Sequence, residues 1–189
     1  MISIVPYQPI WPEEFLTIAR PLRQALGDLA LRIDHIGSTA VPGLAAKDRI
    51  DIQVTVPGLT EAVERALNRA GYERLEGITQ DHVPPGEPSH PDEWGKWIFK
   101  PPENQRLTNV HVRVAGRPNQ RYPLLFRDYL RANPAAAEAY ARVKTALARY
   151  HAGDVVAYYD IKDPVCDIIF SAAEVWAAAT GWLPGPSDC

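Results

Sequence analysis

The stretch LRIDHIGSTAVPGLAAKDRIDIQVTV, residues 31–56, decides the fold. Residues 31–36, with apolar Leu31, Ile33 and Ile36, predict a first strand, which leads directly into Gly37-Ser38. From Ile50 to Val56 apolar and polar residues alternate strictly, which predicts a second strand with one apolar and one polar face. Because glycine and serine carry little bulk, an anion can approach the backbone at this turn. The sequence therefore predicts two strands with a Gly-Ser turn at the end of the first.

The spacing between Ser38 and Asp51 is typical of a nucleotidyltransferase-type site. In such a site Gly37, Ser38 and Thr39 hold phosphate, and a carboxylate on the next strand, here Asp51, holds a divalent metal ion. Residues two apart on a strand point to the same side, so the second carboxylate is expected at position 53, where this chain has Gln53. A neutral amide is a poorer magnesium ligand than a carboxylate. Two plainer interpretations stay open, a tight turn capped by Ser38 and a lone hydrogen-bonded carboxylate at Asp51.

A further alternating strand is predicted over Thr108–Val114. Its valines face one way, while Asn109, His111 and Arg113 face the other. We predict that His111 acts as a base or metal ligand together with Asp51 and Gln53. Two strands with one polar face each also predict a sheet that helices cover on one side and that stays open to a ligand on the other.

Four basic residues are candidates for neutralising phosphate charge, namely Lys47, Arg113, Arg127 and Lys144. Three of them have a plainer alternative: Lys47 is simply solvated, Arg113 forms a cross-strand ion pair, and Lys144 pairs with Glu138 or solvent. By contrast, we interpret His35 as a structural histidine rather than a ligand.

The last third of the chain is predicted to be helical, and helices and strands are predicted between the segments already described. Helices are predicted over residues 13–26, 60–70, 122–131, 134–150 and 164–180, and further strands over 95–100 and from Tyr72. Between them, residues 77–94 hold four prolines and two glycines, which indicates either a functional lid or a mobile excursion. Asp81, His82 and His90 in this segment lack a metal-binding spacing and are interpreted as loop decoration.

Composition limits the classes of partner. With 189 residues, the chain is expected to form one domain over 1–189. Its formal net charge of −3 gives no basic surface for nucleic acid or an anionic membrane, so a nucleotide or another small molecule is the expected partner. Two cysteines make no disulfide framework, and no targeting or membrane-spanning run is evident. A cytoplasmic location is therefore expected, and the oligomeric state stays open.

Taken together, these motifs closely resemble the signature of the GrpB family. The resemblance is carried by residues 34–47 (DHIGSTAVPGLAAK), 5–7, 11–13 and 126–131 (FRDYLR), and by Tyr140 with Lys144. It implies an α/β (α+β) fold of the nucleotidyltransferase superfamily, with a mixed β-sheet flanked by α-helices and a helical C-terminal third. It also implies a cleft at Gly37-Ser38 and Asp51. Some relatives are fused to dephospho-CoA kinase, which points towards nucleotide or coenzyme A metabolism.

The chain departs from the family pattern at Asn109, which stands where a His-x-His-Val strand has its first histidine. That substitution removes one metal ligand and leaves His111. Our leading hypothesis is an enzyme that transfers a nucleotidyl group from an NTP to a small-molecule acceptor, using Mg²⁺ or Mn²⁺ held by Asp51, Gln53 and His111. The alternative is a binding module for a nucleotide or a phosphorylated metabolite that catalyses no transfer.

Overall fold

The computed structural model describes residues 1–189 and contains one five-stranded mixed sheet with six α-helices. The strands are β1 (Arg32–Ile36), β2 (Ile50–Val56), β3 (Glu73–Arg74), β4 (Lys96–Lys100) and β5 (Thr108–Val114), in the order β1-β2-β5-β4-β3. The helices are α1 (Trp11–Leu26), α2 (Glu61–Arg69), α3 (Pro91–Trp94), α4 (Pro118–Ala132), α5 (Pro134–Tyr150) and α6 (Val155–Thr180). The predicted mixed sheet with a helical C-terminal third is confirmed. None of these helices combines the length and the apolar character needed to cross a membrane.

The register of the central strands brings the polar residues together. β2 pairs antiparallel with β1 and parallel with β5. In the parallel pair, Asp51 lies opposite Asn109 and Gln53 lies opposite His111. Because side chains alternate between the two faces of a strand, these four residues lie on the same side of the sheet.

The opposite face of the sheet carries the main hydrophobic core. The isoleucines and valines of β2 pack there with Val110 and Val112 against α1 and α2. α1 buries Phe15, Ile18 and Leu22 at helical spacing, which explains why it lies flat on the sheet. The helix begins at Trp11 rather than after Pro12, because proline is tolerated in the first turn, where the backbone N–H has no helical partner.

The polar face is not open along its whole length, so that part of the sequence prediction is wrong. α4 covers the centre of this face, and Gln53 and Thr55 are fully buried beneath it. The Gln53 side chain donates from Nε2 to the backbone oxygen of Gln120 at 2.8 Å. What remains uncovered lies at Asp51 and across β5 and β4, and this is where the cavity described below is found.

The last helix also differs from its prediction. α6 begins at Val155, nine residues before Pro164, and the Asp154 side chain caps it by accepting from the Ala157 N–H. Its buried face contains Phe170, whereas Ile168, which is also apolar, is 71% exposed. α6 is apolar on several sides, so helical spacing alone does not select the face that packs against α4.

Candidate functional site

A cavity of about 900 Å³ lies between the uncovered part of the sheet and helices α4 to α6. It brings together most of the residues selected from the sequence. The lining includes Gly37, Ser38, Thr39, Lys47, Asp51, His111, Arg113 and Lys144. Two of the predicted residues, Gln53 and Arg127, do not line it.

The turn between β1 and the next segment requires glycine at position 37. Gly37 has φ 71° and ψ −171°, a combination that essentially only glycine adopts. A Cβ atom built there would also lie 2.7 Å from Oδ2 of Asp51, closer than real contacts allow. The turn therefore presses directly against the Asp51 carboxylate and places Ser38 beside it at the cavity wall.

Asp51 and His111 form the centre of the site. Oδ1 of Asp51 accepts a hydrogen bond from Asn109 at 2.7 Å and lies 3.7 Å from Nε2 of His111. Burial alone would raise the pKa of Asp51. The hydrogen bonds and charges of His111, Asn109 and Arg49 have a larger combined effect and hold that pKa below its usual range. Burial, with a smaller effect from Arg113, lowers the pKa of His111. At neutral pH the pair is thus an ionised carboxylate and a neutral imidazole, the forms that bind metal ions or accept a proton.

The donor set fits one metal ion and not two. Asp51 and His111 provide two protein donors, and no group of three or more histidines, cysteines and carboxylates lies together. Oε1 of Gln53 accepts from Nη1 of Arg113 at 2.8 Å, which puts a positive charge where a metal ion would have to lie. We therefore leave Gln53 out of the site. Phosphate oxygens and water would have to complete the coordination of a single Mg²⁺ or Mn²⁺ ion.

Lys144 is buried at the cavity wall without a carboxylate partner. It is 3% exposed, and its Nζ donates to Oγ of Ser38 at 2.7 Å and to the backbone oxygen of Ala45 at 2.6 Å. The alternative pairing with Glu138 does not form, because α5 turns Lys144 towards the connection between β1 and β2. Burial lowers the pKa of Lys144 to about 7.

Lys47 reaches the same cavity from the connection between β1 and β2. Its Nζ lies 4.4 Å from the ring centre of Tyr158 and 4.6 Å from that of Tyr159, and it donates to the Tyr159 hydroxyl at 3.1 Å. These are cation–π contacts, which hold the ammonium group in place but leave its charge unneutralised. Lys47 is therefore more than a solvated surface lysine.

Arg113 is committed to an internal ion pair. It is 4% exposed and donates to both carboxylate oxygens of Asp81, at 2.7 and 2.9 Å. Lys96 and Asn119 donate to the same carboxylate. The opposing cations overcome the effect of burial and hold the pKa of Asp81 well below its usual range. Interpreting Asp81 as loop decoration was wrong, since it fastens the 77–94 segment to the sheet.

Arg127 lies away from the cavity, on the β1 side of the sheet. It donates to the backbone oxygen of His35 at 2.9 Å and to Asp188 at 2.7 Å, and its guanidinium also pairs with Asp128. The structure thus gives Arg127 a structural position rather than a phosphate-facing one. His35 is structural as interpreted, because it stacks on Phe15 at 4.8 Å between ring centres.

An aromatic wall faces the sheet across the cavity, and it is the feature that sequence reasoning missed. It comes from α4, α5 and α6. Its members are Tyr122, Phe126, Tyr140, Tyr158 and Tyr159. The Tyr122 and Phe126 rings are stacked, with centres 5.9 Å apart. Aromatic residues at helical spacing indicate core packing in a sequence, and only the arrangement of three helices shows that these rings border a cavity.

Comparisons of the sequence and of the structure with known proteins agree on one family. The family model described as GrpB protein matches residues 1–172. A UPF0157 protein of Halalkalibacterium halodurans is 35% identical over 172 residues, covering 91% of this chain and 82% of that protein. The crystal structure of conserved protein GrpB from Enterococcus faecalis matches with a TM-score of 0.72 and 32% identity, covering 92% of this chain and 99% of that one.

Longer relatives also match. A dephospho-CoA kinase of Mycolicibacterium paratuberculosis is 42% identical over 197 residues, which cover 97% of this chain and 48% of that protein. The chain spans about half the length of this and the other first curated relatives that it matches. Because more than half of each kinase lies outside the matched region, its name assigns no kinase activity to the residues aligned here.

Proposed function

The chain belongs to the GrpB family, and on that premise we propose that it binds a nucleotide by its phosphates and transfers a nucleotidyl group to a small-molecule acceptor. The observation that carries the proposal is the pair of cations Lys47 and Lys144, which line one cavity with Ser38 and Asp51 and have no carboxylate partner. A buried cation without a counterion is stabilised by an anion that enters its site. A polyphosphate is such an anion.

Each side of the cavity suits a different part of a nucleotide. The phosphates would lie beside Ser38, where an oxygen can accept the hydrogen bond that Lys144 now donates to the hydroxyl. The base would lie against the aromatic wall, because the faces of aromatic rings stack on flat heterocycles. A cavity of about 900 Å³ has room for both.

The chemistry would be an in-line displacement at the α-phosphorus. The neutral His111 imidazole accepts a proton from the acceptor hydroxyl, the acceptor oxygen forms a bond to phosphorus, and pyrophosphate leaves. The ammonium groups of Lys47 and Lys144 stabilise negative charge on the departing phosphates. Asp51 would hold one Mg²⁺ or Mn²⁺ ion together with phosphate oxygens and water, and the ion would neutralise phosphate charge when bound. His111 would not be a ligand to that ion while it acts as the base.

One observation favours a second candidate, a binding module that catalyses no transfer. Gln53 is not a free ligand, because both ends of its amide are engaged by Arg113 and Gln120. Placing aspartate at position 53 would not separate the two candidates, since the new carboxylate would pair with Arg113. The distinction therefore depends on Asp51.

Thermal unfolding tests the proposal directly. Wild type, Asp51→Asn and Lys144→Met are heated with each of the four NTPs, with and without Mg²⁺ or Mn²⁺. A matched control is Lys100→Met, since Lys100 is half exposed and lies outside the cavity. Transferase function predicts metal-dependent stabilisation of the wild type and Lys100→Met that is lost in Asp51→Asn.

Two other results of the same experiment would favour the second candidate or contradict nucleotide binding. Stabilisation that persists without metal and in Asp51→Asn, but disappears in Lys144→Met, would favour the binding module. No shift with any NTP in the wild type would contradict nucleotide binding itself.

A further inference from the structure

We propose that Ser38 is a nucleophile activated by Lys144, so that the cavity accepts acyl groups from activated esters or thioesters. This activity goes beyond nucleotidyl transfer and does not depend on nucleotide binding. It rests on the contact between a serine hydroxyl and a lysine amine that has no carboxylate partner. The Tyr140 ring lies 4.5 Å from the same amine.

The geometry is that of a nucleophile, a base and a group that orients the base. Nζ of Lys144 lies 2.7 Å from Oγ of Ser38 and 2.6 Å from the backbone oxygen of Ala45. A neutral amine has two N–H groups and one lone pair. With one N–H donated to Ala45, the lone pair can accept the hydroxyl proton of Ser38, which is the arrangement needed to activate a serine.

Ser38 is also accessible to a substrate. It directly follows β1 and Gly37, whose positive φ turns the chain sharply at the end of the strand. Ser38 begins a single 3₁₀ turn, Ser38–Ala40, at the end of β1, where it is half-buried and lines the cavity. The substrate can therefore approach Oγ from the cavity while Lys144 stays buried behind it.

The surroundings keep a useful fraction of Lys144 neutral. Burial has the largest effect and lowers its pKa to about 7, and the positive charges of Lys162 and Lys47 act in the same direction. Asp51 on β2 and Cys166 on α6 act in the opposite direction. An ordinary lysine, with a pKa of about 10.4, is almost fully protonated at pH 7 and cannot accept a proton from serine.

Acyl transfer to Ser38 requires one bond to form, one bond to break and one proton to move twice. Oγ of Ser38 forms a bond to the acyl carbon while its proton moves to Nζ of Lys144. The bond from that carbon to the oxygen or sulfur of the leaving group breaks, and the leaving group takes the proton from the Lys144 ammonium. Water then attacks the Ser38 ester with the neutral lysine again as base, which releases a carboxylic acid and restores the serine.

The same two residues also take part in the proposed phosphate site, but in the other protonation state. Protonated Lys144 binds phosphate, and neutral Lys144 activates Ser38. A bound nucleotide should therefore inhibit acylation, whereas acylation requires no nucleotide at all. The two proposals can consequently fail independently.

Acylation by p-nitrophenyl acetate tests the inference. At pH 8 we expect a burst of about one p-nitrophenol per wild-type chain, with an acetyl group on Ser38 located by peptide mass spectrometry. Ser38→Ala should give no burst, and Lys144→Met should slow it by about 100-fold or more. The exposed Ser171 on α6 serves as the internal control for background acetylation.

Lys144→Arg separates a base from a simple phosphate-binding cation. Arginine keeps the positive charge but does not lose its proton, so this variant should bind nucleotide yet fail to acetylate Ser38. In the wild type the burst rate should fall as the pH is lowered through about 7. Acetylation of Ser38 no faster than Ser171, or an unchanged rate in Lys144→Arg, would overturn the inference. Failure of the NTPs to bind would leave it standing.

Discussion

Replacing Gly37 by alanine tests how the turn and the Asp51 carboxylate depend on each other. Gly37 has φ 71° and ψ −171°, where alanine is strained, and an alanine Cβ would lie 2.7 Å from Oδ2 of Asp51. The matched control is Gly27→Ala. Gly27 has φ 52° and ψ −130°, which is also unfavourable for alanine, but its Cβ would meet no atom within 4 Å.

The two substitutions should differ by the energy of the Asp51 contact. Backbone strain contributes about 1–3 kcal/mol at either position. At Gly37 the carboxylate must also move, which disrupts its hydrogen bond from Asn109 and adds about 1.5–3 kcal/mol. We therefore expect Gly37→Ala to lower the free energy of unfolding by about 2.5–6 kcal/mol, roughly 2 kcal/mol more than Gly27→Ala.

Urea unfolding followed by tryptophan fluorescence measures both variants, since the chain contains five tryptophans. Asp51→Ala removes the 2.7 Å contact, so in that background Gly37→Ala should cost little more than Gly27→Ala does. Equal costs of the two glycine substitutions within about 0.5 kcal/mol, or an undiminished cost of Gly37→Ala in the Asp51→Ala background, would contradict a contact between the turn and the carboxylate.

Three further predictions concern buried charges. Lys144→Met should leave the free energy of unfolding unchanged or raised, because a buried cation without an acid partner is removed, while nucleotide affinity by calorimetry falls about tenfold or more. A loss of stability above about 2 kcal/mol would contradict this. The nucleotide affinity of the wild type should be constant below pH 7 and fall by up to about tenfold per pH unit above it. The reason is that phosphate binds the protonated form of Lys144, whose pKa is about 7. The affinity of Lys144→Arg should not change with pH over this range. Asp81→Asn should cost about 3–5 kcal/mol in urea unfolding, since Lys96 and Arg113 lose their counterion. The pKa of Asp81 is lowered in the folded state, so this cost should be full above about pH 5 and disappear as the pH falls further; equal stability of both proteins at pH 7 would contradict it.

Strict alternation made the central strands predictable. β2 and β5 have the bounds that their alternation predicts, Ile50–Val56 and Thr108–Val114. Alternation also determines which side chains share a face, so Asp51 and His111 were expected on the same side of the sheet. They lie there, with 3.7 Å between Oδ1 of Asp51 and Nε2 of His111.

Contacts between distant parts of the chain were not predictable in the same way. Gln53 contacts Gln120, which is 67 residues away, and Arg113 contacts Asp81, which is 32 residues away. No local periodicity reports such pairings, because they depend on how α4 and the 77–94 segment pack onto the sheet. The sequence therefore suggested free ligands at two positions that are in fact satisfied internally.

The predicted helix boundaries were wrong where a proline could stand either in the first turn of a helix or inside it. Pro164 was expected to open the last helix, yet it lies inside α6, and Asp154 provides the cap. Pro118, rather than Tyr122, stands at the start of α4. Proline fits the first turn of a helix but is also tolerated inside a long one held by packing, so its presence alone does not mark the start.

Isothermal titration calorimetry tests most directly whether this cavity binds a nucleotide through Ser38, Lys144 and Asp51. The wild type is titrated at pH 6.5 with each NTP in the presence of Mn²⁺. We expect saturable binding of at least one NTP that weakens at least about tenfold in Lys144→Met and no longer responds to Mn²⁺ in Asp51→Asn. Saturable binding that both variants retain unchanged, or no binding by the wild type, would contradict it.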